Sequence, residues 1–361
     1  MESLIFTTVA IFILGIVVSI LTNYLLLKNA KLIGIPKVKE AEAVRWSPTQ
    51  KPLLGGISFY IFFITSVLLA GVFSGYSQLF NSTNLGVLLA TTLGFGLGLA
   101  DDAYATKPWI KFVGQFLCGI ILALFGIVIE ISPFAGLNFV FTVLWTVALM
   151  NSLNMLDNMD GITTTVSLIV LIIAFSIGVL VGPTHILLLL ILAGCIGGLI
   201  GFLVYNWHPS KMIMGDSGSQ FIGAFTAAVS IIYMWQFRDV DARGIQVRQF
   251  VIPCLAFIMP IIDTVTVVIR RLARKQSPFV GGKDHTTHHL AYLGLKDNYV
   301  ALVFILVSII SAIIIYVSVS FMSEWKYWYT GILVFYCLAV FFVIQILYVK
   351  GNDKKLLKSK D

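Results

Sequence analysis

Eleven apolar runs divide this chain, and their length decides what it can fold into. They lie near residues 4–27, 53–74, 84–100, 111–129, 138–154, 162–182, 185–205, 218–236, 249–269, 299–321 and 328–349. A helix needs about 20 apolar residues to cross the hydrocarbon core of a bilayer, so each run reads as a membrane-spanning helix. The expected fold is an all-α polytopic integral membrane protein with about 11 transmembrane helices. The third and fifth runs are short, and the sixth and seventh are parted by Gly182-Pro183-Thr184, a turn-forming sequence. Hydrophobic residues make up 58% of the chain and charged residues 11%, whereas a soluble domain is about a quarter charged. Residues 1–361 therefore read as one transmembrane domain, with the largest loop at 270–298 and a basic tail at 350–361. The first run has no basic flank before it and no A-x-A cleavage site, so it reads as a helix that stays.

Lys and Arg orient membrane proteins because they concentrate in cytoplasmic loops. Of the 24, twenty fall on one side of this topology, in 28–51, 107–111, 211, 270–296 and 350–360. The other side holds Arg238, Arg243, Arg248 and Lys326. The N-terminus is thus expected outside and the C-terminus in the cytoplasm. The same assignment puts Asp101, Asp102, Asp157, Asp160, Asp216, Asp284 and four of the 5 histidines on the cytoplasmic side. Cys118, Cys195, Cys254 and Cys337 lie in apolar runs without a C-x-x-C pair, and read as small core hydrophobes. Asn81-Ser82-Thr83 matches the glycosylation sequon, a short and common pattern.

Carboxylates at a bilayer edge are expensive unless they bind something, and three acidic clusters stand at the ends of apolar runs. If they share one face they can converge on a divalent cation and a phosphate. Asp101-Asp102 follows the glycine-rich Gly94-Phe95-Gly96-Leu97-Gly98-Leu99-Ala100. Adjacent carboxylates repel unless a cation sits between them, so the pair reads as a metal ligand, a base or both; the plainer alternative is a solvated helix end. Lys107 and Lys111 follow within reach of a phosphate. In Asn154-x-x-Asp157-x-x-Asp160-Gly161, the spacing of three puts the polar groups roughly on one helical face. These amides and carboxylates suit a nucleobase edge, a ribose or a metal-bound phosphate, and Gly161 lets the chain turn. In Met214-Gly215-Asp216-Ser217-Gly218-Ser219, glycines flank an acid at a helix start that favours anions. An N-cap role for Asp216 or Ser217 is compatible with that. Asn206 and Lys211 lie just upstream.

His285, His288 and His289 occupy a loop with six Lys and Arg. They read as phosphate contacts, because no Cys partner supports a zinc site. His208 has a weaker claim, and His185 reads as incidental. Asp263 follows Pro260 inside the ninth run; it is expected either to face the site or to pair with Arg270 or Arg271.

These motifs, in this order, resemble the polyprenyl-phosphate N-acetylhexosamine-1-phosphate transferases (glycosyltransferase 4 family). The likeness runs from Lys51-Pro52-Leu53-Leu54-Gly55-Gly56 to His288-His289. The chain is most similar to the WecA/TagO-like branch, in its run count, its Asp216-Ser217-Gly218 and its Ser277-Pro278-Phe279 lead-in. The resemblance implies transfer of an N-acetylhexosamine 1-phosphate, N-acetylglucosamine first, from a UDP-sugar to polyprenyl (undecaprenyl) phosphate with release of UMP. The setting would be the bacterial inner membrane, with a cytoplasmic active site, at the first membrane step of an envelope polysaccharide such as lipopolysaccharide. The resemblance also implies Mg²⁺, or Mn²⁺ in its place, on Asp216, with Asp101 or Asp102 deprotonating or orienting the lipid phosphate. Lys51, Lys107, Lys111, Asn154, Asp157, Asp160, Asn206, His285, His288 and His289 would contact substrate. A homodimer is compatible with the family, and no nucleic-acid partner is expected.

Two departures stand out. The family's D-G-x-D-G reads Asp157-Asn158-Met159-Asp160-Gly161, where Asn tolerates a left-handed turn. Its H-x-H-H reads His285-Thr286-Thr287-His288-His289, one residue longer, which leaves the role of His285 and the choice of sugar open. The rival within the class is the phospho-N-acetylmuramoyl-pentapeptide transferase of peptidoglycan synthesis. A membrane transporter would show matching halves and acids spread through mid-membrane, and the chain has neither pattern.

Overall fold

The computed structural model describes residues 2–30, 46, 51–74, 76–182, 185–237, 246–278, 282–321 and 325–358. Lys31, Lys37, Lys39, Arg45, Pro183, Thr184, Arg238, Arg243, Phe279 and Lys360, all used in the sequence reading, lie outside these residues. The chain forms α1 Glu2–Lys28, α2 Gly55–Ser74, α3 Ser82–Tyr104, α4 Pro108–Leu124 and α5 Ala135–Leu156. There follow α6 Ile162–Val181, α7 Ile186–Asn206 and α8 Gly215–Ser230, the last continued by a π-helical turn, Ile231–Trp235. The chain closes with α9 Arg248–Ala256, α10 Ile258–Ala273, α11 Thr286–Tyr292, α12 Asp297–Phe321 and α13 Tyr327–Lys358. Among the described residues there is no strand. Helices satisfy every backbone N–H and C=O internally, which a lipid environment demands.

Every expected run carries a helix, and among the described residues nine helices (α1, α2, α3, α5, α6, α7, α8 with its π turn, α12 and α13) are long and apolar enough to cross a bilayer. The α9–α10 pair makes a tenth if it is counted as one broken span. Helix α4 is apolar but has only 17 residues. The single helix expected over 249–269 is two helices bent by 80°. Pro253 lies inside α9 and Pro260 in the first turn of α10; each lacks an N–H and crowds the preceding turn. Helix α13 continues to Lys358, so residues 350–358 of the basic tail are helical.

Helix α8 is the axis of the bundle. Each of its residues and those of its π turn is buried except Asp216. Its Gly, Ala and Ser positions let neighbouring backbones approach closely. A Cβ on Gly98 of α3 would lie 2.1 Å from the Asp216 carbonyl oxygen, and one on Gly56 of α2 would lie 2.2 Å from Ser217 Oγ. The start of α8 is thus gripped between the start of α2 and the end of α3. An aromatic cluster of Phe59, Phe63, Phe202, Phe221 and Phe225 fills the space beside it.

Candidate active site

One cavity of about 1180 Å³ opens at the end of the bundle where α3 ends, α8 begins and the α5–α6 turn lies. It gathers Lys51, Asp101, Asp102, Lys111, Asn154, Asp157, Asp160, Asn206, Asp216, His285 and His288 from the sequence candidates. Lys107 and His289 are not among the lining residues. Lys107 is exposed at the N-cap of α4. His289 is buried and stacks on Tyr348 of α13 with ring centroids 3.6 Å apart.

The acidic centre is built on the α3–α8 contact. Ala105 ends α3 in a left-handed conformation (φ 49°), which turns the chain so that Thr106 comes back over Asp101. Asp101 Oδ1 accepts from the Thr106 N–H at 2.9 Å and from its hydroxyl at 2.5 Å. Lys111 Nζ donates to Asp101 Oδ2 at 2.8 Å and to Asp216 Oδ2 at 3.1 Å, so one ammonium bridges the two carboxylates. Asn154 Nδ2 donates to Asp216 Oδ1 at 2.5 Å and to Ser219 Oγ at 2.8 Å. Asp102 does something different. Its two oxygens accept the backbone N–H groups of Asp216 at 2.9 Å and Ser217 at 2.8 Å. It therefore caps α8, supplying an acceptor to N–H groups that have no partner within the helix. Gln115 and Asn151 exchange amide hydrogen bonds beneath this cluster.

The run from Asn154 to Asp160 does not share a helical face. Helix α5 stops at Leu156, Asp157 is its C-cap, and Asp160 lies in the turn before α6. Gly161 makes that turn with φ 76°, while Asn158 stays out of the left-handed region. Asp160 is engaged by Lys51 Nζ at 2.9 and 3.0 Å, by the Ser210 N–H at 3.0 Å and by the Ser210 hydroxyl at 2.7 Å. His208 Nδ1 stands 3.2 Å away. Burial pushes the Asp160 carboxyl up, but the Ser210 and Lys51 hydrogen bonds outweigh it and hold the group below its ordinary value of 3.8. Asp160 therefore adds stability above the unfolded value, and that stability is lost as pH falls through the folded one. Lys51→Met is expected to destabilise the protein by about 3 kcal/mol at neutral pH. Thermal melting at pH 7 and pH 4 checks this: the gap between variant and wild type should narrow at the lower pH. Asn206 is likewise committed within the fold, accepting from Thr164 Oγ1 at 2.6 Å and donating to the Met212 carbonyl at 3.0 Å.

The opposite wall is the histidine segment. Asp263 pairs with neither Arg270 nor Arg271: its Oδ2 lies 2.8 Å from His285 Nδ1, and its Oδ1 accepts the Thr286 N–H at 2.7 Å. Arg271 instead holds Asp284 through two bonds of 2.8 and 2.6 Å. Asp263 and the two arginines lie on the same helix seven and eight residues apart, and each is taken up by a group from outside that helix: Asp263 by α11 and its N-cap, Arg270 by Gln345, and Arg271 by Asp284. His288 lies under Trp46, ring centroids 4.8 Å apart, and Trp46 Nε1 donates to Asp297 at 3.1 Å. Burial, then the neighbouring His285, pushes His288 down to about 3, and burial with Lys355 and Arg270 pushes His289 down to about 4. Burial thus disfavours the charged form of both rings. Thr287 Oγ1 donates to Asn158 Oδ1 at 2.6 Å and ties this wall to the α5–α6 turn. Trp46, Asn158, Arg271 and Asp297 were missed as lining residues; only Asn158, inside a recognised motif, carried a signal.

Among the described residues no three His, Cys, Asp or Glu side chains are grouped to hold a metal alone. Mg²⁺ is commonly held by one or two carboxylates together with substrate phosphates. Asp216 and Asp101, hard oxygen donors sharing a single ammonium, fit that pattern.

Residues 84–234 match the family model for glycosyl transferase family 4. The chain is 27% identical over 316 residues to a probable undecaprenyl-phosphate N-acetylglucosaminyl 1-phosphate transferase of Bacillus subtilis, covering 83% of each chain. It is 26% identical over 326 residues to a decaprenyl-phosphate N-acetylglucosaminephosphotransferase of Mycobacterium leprae, covering 80% of this chain and 79% of the relative. It is also 34% identical over 211 residues to a phospho-N-acetylmuramoyl-pentapeptide-transferase of Streptococcus pneumoniae, covering 54% of this chain and 62% of the relative.

Proposed function

Because the chain belongs to glycosyl transferase family 4, we propose that it moves N-acetylglucosamine 1-phosphate from UDP-N-acetylglucosamine to a polyprenyl phosphate such as undecaprenyl phosphate, releasing UMP. The observation that carries this reading is the bridged pair Asp101–Lys111–Asp216 at the wall of a large polar cavity. The reaction breaks one phosphoanhydride bond and forms another, so its demands are charge neutralisation and alignment. Lys111 supplies a cation to the phosphates and keeps two carboxylates close together. Asp101 orients the attacking phosphate oxygen of the lipid, and Asp102 holds the start of α8, and with it Asp216, in register. Asn154 fixes the Asp216 carboxylate, while Asp157, on the cavity wall, is placed for the nucleoside. Mg²⁺ held by Asp216 and Asp101 would neutralise charge on the pyrophosphate and on the departing UMP.

The basic residues favour a cytoplasmic position for the cavity, where nucleotide sugars are available, in the plasma membrane of a bacterium. The more extensive match to the N-acetylglucosamine phosphate transferases, against just over half of the chain for the pentapeptide transferase, favours a small amino sugar over a muramoyl pentapeptide.

The test is transfer of label from UDP-N-acetylglucosamine to undecaprenyl phosphate by purified protein in detergent, with Mg²⁺ or with EDTA. UDP-N-acetylmuramoyl-pentapeptide is run alongside. Lipid-linked label from the first donor, abolished by EDTA, is the expected result. Label from the pentapeptide donor alone would reassign the chain to peptidoglycan synthesis.

A further inference from the structure

His285 is held more tightly than packing requires. On one side of it Asp284 is gripped by Arg271, which also donates to the Pro278 carbonyl at 2.8 Å. On the other side the Thr286 N–H is bound by Asp263. The ring itself meets Asp263 through Nδ1. Both Asp263 and Arg271 come from α10, eight residues or about two turns apart. Asp263 is 1% exposed and His285 6%. A carboxylate buried this deeply is costly unless paired, and a neutral acceptor such as Ser or Asn would anchor the Thr286 N–H at less expense. An ionised carboxylate is an acceptor only, so it fixes the hydrogen on Nδ1. That leaves Nε2 of a cavity-lining ring as the group available to a ligand.

We propose that Asp263 is a positioning residue that makes His285 present an Nε2–H to a phosphate oxygen of the bound nucleotide. The ring would then stand between a carboxylate at Nδ1 and a phosphate oxygen at Nε2. His285 thereby differs from its two neighbours. His288 is stacked beneath Trp46, and His289 is stacked on Tyr348, whose ring also carries the Arg270 guanidinium at 4.1 Å. The histidine segment thus supplies one phosphate contact, and α10 determines which ring that is.

This inference rests on the nucleotide reading of the cavity, so its test measures binding, apart from transfer. Titration calorimetry of UMP and of uridine is run on the full chain in detergent with Mg²⁺ present. The wild type should bind UMP more tightly than uridine. Asp263→Asn keeps the size and an acceptor for the Thr286 N–H but removes the charge. It is expected to weaken UMP roughly tenfold, the loss of a charge-assisted hydrogen bond, and to leave uridine unchanged. His285→Gln should do the same, and the double variant should be no weaker than His285→Gln alone. The proposal is overturned if Asp263→Asn keeps its UMP affinity, if UMP and uridine weaken together, or if the wild type does not distinguish them. Should Asp263→Asn not fold, His285→Gln decides: equal losses for UMP and uridine, or none, also overturn it. Failure of the transferase reading shows separately, as absence of label transfer by the wild type.

Discussion

Asp216→Asn is expected to slow sugar-phosphate transfer about a thousandfold while leaving the fold intact. The substitution preserves volume, and the new amide oxygen still accepts from Asn154, which in the native protein donates to Oδ1. Lys111 keeps its 2.8 Å bond to Asp101, and the Asp102 cap is untouched because it binds backbone N–H groups. What disappears is one negative charge from the pair of carboxylates best placed to hold a divalent cation against phosphates. A thousandfold corresponds to about 4 kcal/mol in the barrier, the size found when one preorganised electrostatic group is removed. Stability should fall by about 1–3 kcal/mol, because the new amide NH2 faces Lys111 where Oδ2 accepted its hydrogen bond, and the ammonium keeps only Asp101 there. Initial rates of lipid-linked label and a thermal melt measure both quantities. A variant that retained a tenth of wild-type activity would place the metal and the phosphates elsewhere in the cavity.

The sequence was most informative where chemistry is expensive. Asp101, Asp102 and Asp216 stand at the ends of apolar runs, where charge is hard to accommodate, and the structure places all three around the start of α8. The apolar runs likewise mapped onto helices, because a length of about 20 residues is a physical requirement of the bilayer. Less was visible where the answer depends on how helices cross. The break at Phe257 was hidden inside a run of ordinary hydropathy, and its two prolines were the one local sign of it. Lys51 and Asp160 were both read as substrate contacts, yet they are more than a hundred residues apart and meet each other. Thr287 and Asn158, two departures from the family pattern, also meet, and no spacing rule announces such a pair. Trp46 reached the cavity wall through contacts with His288 and Asp297, far from any motif that surrounds it.

Gly98→Ala should remove most activity and lower the melting temperature, whereas Gly96→Ala, two residues away on the same helix, should do neither. The added carbon on Gly98 would lie 2.1 Å from the Asp216 carbonyl oxygen, 2.4 Å from its carbon and 2.5 Å from Ser217 Cα. All three are backbone atoms, so no rotamer change relieves the clash; α3 and α8 must move apart. Overpacking of this kind costs about 1–3 kcal/mol. Function should suffer more than stability, because Asp101 and Asp102 lie one turn beyond Gly98 and are tied to Asp216 through Lys111 and the α8 cap. A displacement of about 1 Å in such a constellation can reduce the rate a hundredfold. At Gly96 a Cβ meets nothing within 4 Å and the residue is exposed. There the alanine should bring a gain of up to about 1 kcal/mol from better helix propensity. Paired melts and transfer rates on the two variants separate a general effect of losing a glycine from a specific one at the contact. If Gly98→Ala stayed active, the register of the carboxylates would have to be set by something other than the approach of α3 to α8.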